Sequence, residues 1–228
     1  MTGHLREFWW RLRTHWNGSD TAVLVPNLCA FVLLVVNCWN HSIAIAYVAA
    51  GVPLVIQGMR ARYDRACLGR AVVFGGLTVL LWSGAEWLST RVIGWWGQYD
   101  TKGIMILDTP LYCLLIAWQS NTYLCHFERR AREWGYGWRV ASCFAGFSAL
   151  SLGVLGENLY VAAGMWSYHP SAVDWLAAPA FIPVTYGLVG LTLPFLARWR
   201  VWVAAVVYVA LTVFISVALG LAIGFYPR

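Results

Sequence analysis

Charge is the scarcest commodity in this sequence: 11% of its 228 residues are charged, against 60% hydrophobic residues and a mean hydropathy of +0.61. Water-soluble domains carry about 25% charged residues, so that class is excluded. Lysine is nearly missing. Lys102 is the only one and it falls between apolar runs, so no residue is placed to form a retinal Schiff base in the last run. The cysteines (Cys29, Cys38, Cys67, Cys113, Cys125, Cys143) form no CxxC pair and no framework, and free thiols are expected. His4, His15, His41, His126 and His169 supply neither HxxxH nor HExxH, and no acidic cluster of the DDxxD kind occurs. Also missing are a phosphate loop, a GxGxxG between strand and helix and a GxSxG, so nucleotide chemistry is not indicated and no nucleophile elbow supports serine hydrolysis.

What the sequence has is long apolar runs without strand-like alternation. That combination points to an all-α integral membrane protein rather than a barrel, since a helix needs about 20 apolar residues to cross a bilayer. Seven runs qualify, at residues 22–39, 41–59, 71–90, 104–124, 140–163, 172–197 and 201–225. The reading is a single seven-helix transmembrane domain over 21–228, preceded by a cytoplasmic interfacial segment over 1–20 in which Trp9, Trp10 and Trp16 lie among arginines. Pro53, Pro179, Pro183 and Pro194 fall inside the runs and imply kinks.

Of the 16 basic residues, 13 lie before the first run or in every second connection; Arg91, Lys102 and Arg228 fall on the other side. The positive-inside rule then predicts a cytoplasmic N-terminus and an external C-terminus, in a cytoplasmic membrane of bacterial type. The net charge of +6 is thus a topology signal; the basic residues flank helices and form no nucleic-acid patch.

The ten acids divide by place. Glu7, Asp20, Asp64, Glu128 and Glu133 stand beside arginines and read as a solvated rim on the cytoplasmic side. Glu86, Asp100, Asp108, Glu157 and Asp174 belong to the outer half. Glu86 follows Arg70 by about 24 Å of helical rise and Glu157 follows Arg139 by about 27 Å, so both reach the outer leaflet. Asp108 is expected about one turn into the fourth span and Asp174 at the start of the sixth. Intramembrane carboxylates are costly and default to a functional hypothesis.

Two stretches repeat one pattern. Glu86, Gly94, Trp96, Tyr99 and Pro110 are matched by Glu157, Gly164, Trp166, Tyr168 and Pro179, at offsets of 71, 70, 70, 69 and 69 residues. The sequence therefore predicts an internal parallel repeat of helices 3–4 and 5–6. Each acid has an aromatic neighbour at helical spacing, Trp82 before Glu86 and Tyr160 after Glu157. Tyr99, Tyr112, Trp166, Tyr168, Trp175 and Tyr186 reach the same outer region, and aromatic faces there would stabilise a cation by about 0.5–2 kcal/mol each. Interfacial aromatic belts account for others, among them Trp39, Trp95, Phe225 and Tyr226. The candidate catalytic residues are Glu86, Glu157 and Asp108, with Asp174 and His169 in the same outer region. A hard divalent cation held by these acids and a histidine is an alternative; the reading adopted has no metal and no cofactor.

The span-end acid, the G-x-W-x-Y segment and the proline-marked span resemble the membrane-embedded carotenoid and terpenoid enzymes: the heterodimeric-type lycopene cyclase domain, bisanhydrobacterioruberin hydratase and the integral-membrane meroterpenoid cyclases. Residues 157–186 carry the resemblance, with 86–112 as a weaker partner, about half the chain in all. The lycopene cyclase domain has a doubled Glu near a proline, whereas each copy here has a single acid. The resemblance implies a metal-independent cyclase or hydratase acting on an isoprenoid taken from the lipid, with Glu86 and Glu157 as the acid pair. Two other classes fit the acids and aromatics: a proton-coupled transporter and a lipid- or pigment-binding membrane protein. An inverted repeat would favour transport, and the repeat here is parallel.

Overall fold

The computed structural model describes residues 3–93, 97–99, 103–169 and 173–223. Gly94, Trp95, Trp96, Asp100, Lys102, Phe225, Tyr226 and Arg228, all used in the sequence reading, lie outside the described residues. The chain is all-α, with 79% helix. A short helix α1 (Gly3–His15) leads into α2 (Gly18–Asn40) and α3 (Ile43–Ala61). A π-helical turn, Arg65–Gly69, runs into α4 (Arg70–Trp87), and a second one, Leu88–Ile93, leaves it. Then come α5 (Leu111–Glu133), α6 (Trp138–Ala162), α7 (Phe181–Gly190), α8 (Leu193–Leu196) and α9 (Val201–Ala222).

Among the described residues, five helical stretches are long and apolar enough to cross a membrane: Gly18–Asn40, Ile43–Ala61, Arg65–Trp87, Trp138–Ala162 and Val201–Ala222. The other two expected spans differ from the reading. The fourth starts at Leu111 and runs to Glu133, and its many polar residues keep it below that apolar standard. The sixth starts at Phe181 and breaks at Gly190, giving one helix of ten residues and one of four. Pro194 lies just past that break, where it removes a backbone donor.

The residues shaved from both spans form two hairpins of one shape. β2 (Met105–Ile106) pairs with β3 (Thr109–Pro110), and β5 (Asp174–Trp175) pairs with β6 (Ala178–Pro179). At each tip a leucine takes the left-handed conformation, Leu107 at φ 55° and Leu176 at φ 62°. A backbone bond closes each hairpin onto its helix, Leu111 N–H to Ile104 O at 2.8 Å and Ala180 N–H to Val173 O at 3.0 Å. Asp108 and Asp174 therefore sit in hairpins, not in helices, because Pro110 and Pro179 stop helical pairing before them. A third antiparallel pair, β1 (Gly97–Tyr99) with β4 (Trp166–Tyr168), ties the two connections together in the register Tyr99 to Trp166.

Close packing sets the helix pairs. A Cβ on Gly75 of α4 would stand 2.7 Å from the Trp118 carbonyl oxygen on α5, and one on Gly190 of α7 would stand 2.8 Å from the Ala145 carbonyl oxygen on α6. On α3 the inward face is Ala46, Ala49, Ala50 and Pro53, small enough to let its neighbours approach. A capping box of Asn17 and Asp20 starts α2, and His41 in the left-handed region ends it.

At the arginine-rich end, the expected rim of solvated acids is corrected at two positions. Asp20 and Glu128 are fully buried. Asp20 accepts from Arg130 Nε at 2.8 Å and lies 2.9 Å from His126 Nε2, while Glu128 pairs with Arg132 at 2.5 Å. Asp20 is held in the interior by Arg130, which also donates to the His15 carbonyl at the end of α1, and Arg11 of α1 donates to the Trp134 carbonyl at 2.6 Å at the same end. Trp9 and Trp10 stay exposed on the outer side of α1. Glu7, in contrast, is exposed and paired with Arg11. All six cysteines are free.

Candidate active site

Glu86 occupies the last turn of α4 and Glu157 the second-last turn of α6, and both side chains are buried, at 3% and 6% exposure. A buried carboxyl group needs hydrogen-bond partners or a proton of its own. Tyrosines supply the partners. Tyr99 on β1 donates to Glu86 Oε1 at 2.9 Å. Tyr168 on β4 donates to Glu157 Oε2, and Tyr186 on α7 donates to Glu157 Oε1 at 2.8 Å. Trp166 extends the chain, its indole N–H donating to the Tyr168 oxygen at 3.0 Å.

The strand pair β1–β4 joins the two halves. Because Tyr99 and Trp166 are register partners, their rings meet edge to face at 5.9 Å, so the ligand of one glutamate packs on the support of the other. Tyr160 packs on the other side of the arrangement, 4.6 Å from the Trp166 ring. Tyr112, almost fully buried, donates to the Met165 carbonyl at 3.2 Å and so pins the turn before β4 to α5. Cys113 lies within electrostatic reach of both carboxylates, as Tyr186 does.

Seven of the eleven sequence candidates thus fall in one contiguous cluster: Glu86, Glu157, Tyr99, Tyr160, Trp166, Tyr168 and Tyr186. Tyr112 adjoins it. Trp82 is half-buried on α4 one turn before Glu86, and among the described residues it makes no ring contact with the tyrosines. Trp175 is 39% exposed on β5 and Asp108 faces Arg91 on the surface at 2.6 Å. That hydrogen bond, with the Arg91 charge, holds the Asp108 carboxyl below the usual carboxylate range. Asp108 is thus committed to an exposed ion pair away from the tyrosine cluster.

Two participants escaped sequence reasoning. Tyr47, on α3, packs edge to face on Tyr112 at 5.7 Å and accepts the Ile104 N–H at 3.0 Å. Cys113, one residue along α5 from Tyr112 and buried, lies within electrostatic reach of both acids. Neither belongs to the repeated motif; the position of Cys113 three residues after Pro110 is the one signal available.

Chemically, the cluster offers two carboxyl groups in an aromatic surround, each held by a phenol that both donates and accepts. Among the described residues there is no group of three or more His, Cys, Asp and Glu placed to bind a metal. Comparison of the chain with protein-family models, with curated proteins and with solved structures finds no match.

Proposed function

We propose that this protein is a seven-span membrane enzyme that performs acid–base chemistry on an isoprenoid, as a metal-independent cyclase or hydratase. The observation that carries the reading is the linkage of two buried glutamates through Tyr99 and Trp166 into one aromatic site. The strand pair supports counting α5 among the spans: β1 and β4 lie side by side, while α5 and α6 between them are 23 and 25 residues long. Helices of that length rise about 35 Å, so α5 leaves that side of the bilayer and α6 returns to it. The internal repeat is supported by the hairpins, which share shape, register and closing bond at a constant offset of 69 residues. With the arginines inside, the N-terminus is cytoplasmic and the acid pair lies in the outer leaflet.

In this reading one glutamate, protonated, donates its proton to an alkene carbon or an epoxide oxygen of the substrate. The carbocation so formed is stabilised by the faces of Tyr160, Trp166 and the neighbouring tyrosines, which exclude water and present negative π density. The second carboxylate then removes a proton from a carbon next to the cation, giving a ring with a new double bond. In a hydratase it would instead accept a proton from the water that adds. Either way the proton count closes, and Tyr168 and Tyr186 hold Glu157 in a fixed direction throughout.

The test is Glu86→Gln and Glu157→Gln in purified protein, assayed against a panel of acyclic isoprenoids, epoxides and carotenes. Each substitution is expected to lower conversion by about 10²–10⁴-fold, the usual contribution of a positioned acid or base. Wild-type protein that converts none of them, or variants that convert them at the wild-type rate, would overturn the reading. One observation favours a second reading, proton-coupled transport: α5 carries a line of buried polar side chains through the bundle. Uptake of a solute driven by a pH gradient, without chemical change, would select it.

A further inference from the structure

We propose that the buried hydroxyl of Thr109 holds a water molecule against Glu86, so that Glu86 is the carboxylate that activates water and Thr109 steers the reaction toward hydration. The proposal rests on the reading of Glu86 and Glu157 as the working acids, and it gives them different tasks.

Thr109 opens β3 of the first hairpin. It is 1% exposed, and its Oγ1 has no hydrogen-bond partner among the described residues. A hydroxyl shut away without a partner destabilises the fold, and a polar ligand restores the balance. Asp108, one residue earlier, meets Arg91 at the surface, whereas Thr109 is turned inward where β3 lies against α4 and α5.

Two observations put Thr109 level with Glu86. First, α4 and α5 meet where a Cβ on Gly75 would stand 2.7 Å from the Trp118 carbonyl oxygen and 2.6 Å from Thr122 Oγ1. From that contact Glu86 is eleven residues along α4, about 16 Å of rise. Leu111, the first residue of α5, is seven to eleven residues back, about 10–16 Å, and Thr109 lies two residues beyond it. Second, in the matching hairpin the Ala177 N–H donates to Asn158 Oδ1 at 2.6 Å, so that hairpin sits beside the residue that follows Glu157. The hairpins share one shape at an offset of 69 residues, which sets Thr109 beside Glu86 as Ala178 is set beside Glu157.

The two halves differ at this point by a hydroxyl, since Ala178 is fully buried and has only a methyl group. Thr109 makes no direct bond to Glu86, and a water between them gives one hydrogen to the Glu86 carboxylate and the other to the Thr109 oxygen. Its lone pairs then face the substrate. The aromatic surround keeps bulk water out, so the water that reacts is one the protein holds. Glu157, held by Tyr168 and Tyr186, gives its proton to an alkene carbon. The water oxygen bonds to the carbocation and its proton passes to Glu86. The substrate gains one molecule of water as an alcohol, and the proton lost by Glu157 is matched by the one that Glu86 gains.

The experiment uses the full chain in lipid nanodiscs. Infrared difference spectra against Glu86→Gln and Glu157→Gln identify the band of each carboxyl group. Thr109→Val, which replaces the hydroxyl by a methyl of the same shape, is expected to shift the Glu86 band and leave the Glu157 band in place. Thr109→Ser should restore the wild-type position. Thr109→Ala, which copies the residue at Ala178, keeps the test valid if Thr109→Val fails to fold. With an isoprenoid that the wild type converts in isotopically labelled water, the product alcohol should contain the label. Thr109→Val should then cut the ratio of alcohol to unhydrated product by about tenfold or more, the effect of a misplaced reactant. A Glu86 band that stays in place without the hydroxyl, a shift confined to the Glu157 band, or a shift that serine leaves uncorrected would overturn the proposal. So would an alcohol free of the solvent label. The infrared arm uses no isoprenoid, so failure there is distinct from failure to find a substrate.

Discussion

Asp64 shows how a single side chain can hold two elements in place. It follows α3 and precedes the π-helical turn, and its Oδ1 accepts the Cys67 N–H at 3.1 Å, capping the start of the next helix. Burial pushes its carboxyl up, but hydrogen bonds from the Ser19 hydroxyl and from the Cys67 and Leu68 N–H groups outweigh burial and hold it below the usual range. A carboxyl group depressed in the folded state binds its proton more readily when unfolded. The stabilisation it supplies is therefore complete above the unfolded value of about 3.9 and is lost as pH falls through the lower folded value. Asp64→Asn should be less stable than wild type at pH 6–7, by roughly the 0.5–2 kcal/mol of a helix cap. The difference should shrink below about pH 4. Thermal unfolding followed across that range checks it, and a difference that grows toward low pH would contradict the sign. Sequence placed Asp64 at the cytoplasmic rim, where a capping role is invisible; the cap depends on a π-helical turn that no residue pattern announces.

Among the elements, the helix pairs α4–α5 and α6–α7 owe their closeness to glycine rather than to interlocking large side chains. Gly190 is the sharpest case, since an added Cβ would meet both the Ala145 oxygen at 2.8 Å and the Ala149 Cβ at 2.9 Å. Gly190→Val should cost about 1–3 kcal/mol through overpacking. Gly58→Ala on α3, where an added Cβ meets nothing, should be neutral or stabilising by up to about 1 kcal/mol. Parallel thermal melts in detergent decide this, and a Gly190→Val melt at the wild-type temperature would show that the pair can spread. Helix existence was legible in the hydrophobic runs, and so was the spacing of the two hairpins. Their form was not. Pro110 and Pro179 were read as helical kinks or span markers, whereas each closes a two-strand hairpin whose tip leucine adopts a positive φ. That conformation is uncommon for leucine, so periodicity alone favours extending the helix through it.

For the whole molecule, the candidate site was legible to the extent that repeat and helical spacing could show it. Glu86 and Glu157 were placed at one depth by counting residues from arginines, and their tyrosines by motif. Asp108 and Trp175 were swept in by proximity in sequence, because a hairpin reversal reads the same as one helical turn over so few residues. The same counting predicts an arrangement that labelling can test. Ile104 and Tyr136 flank α5, and Val173 and Trp199 flank the α7–α8 pair. If α5 crosses the bilayer despite its polar residues, Ile104→Cys and Tyr136→Cys must lie on opposite sides. If the broken α7–α8 pair also crosses, Val173→Cys and Trp199→Cys must do the same. With the exposed Cys29 and Cys143 replaced, a membrane-impermeant maleimide added to intact cells should label Ile104→Cys and Val173→Cys. Tyr136→Cys and Trp199→Cys should label only after the membrane is opened. Labelling of Ile104→Cys and Tyr136→Cys from the same side would leave α5 without a crossing. That result would conflict with the β1–β4 pair, because α6 alone would then separate Tyr136 from β4. The pairing of two short strands and the positive-inside rule thus make the same demand on one polar helix, and the labelling pattern decides whether the bilayer accepts it.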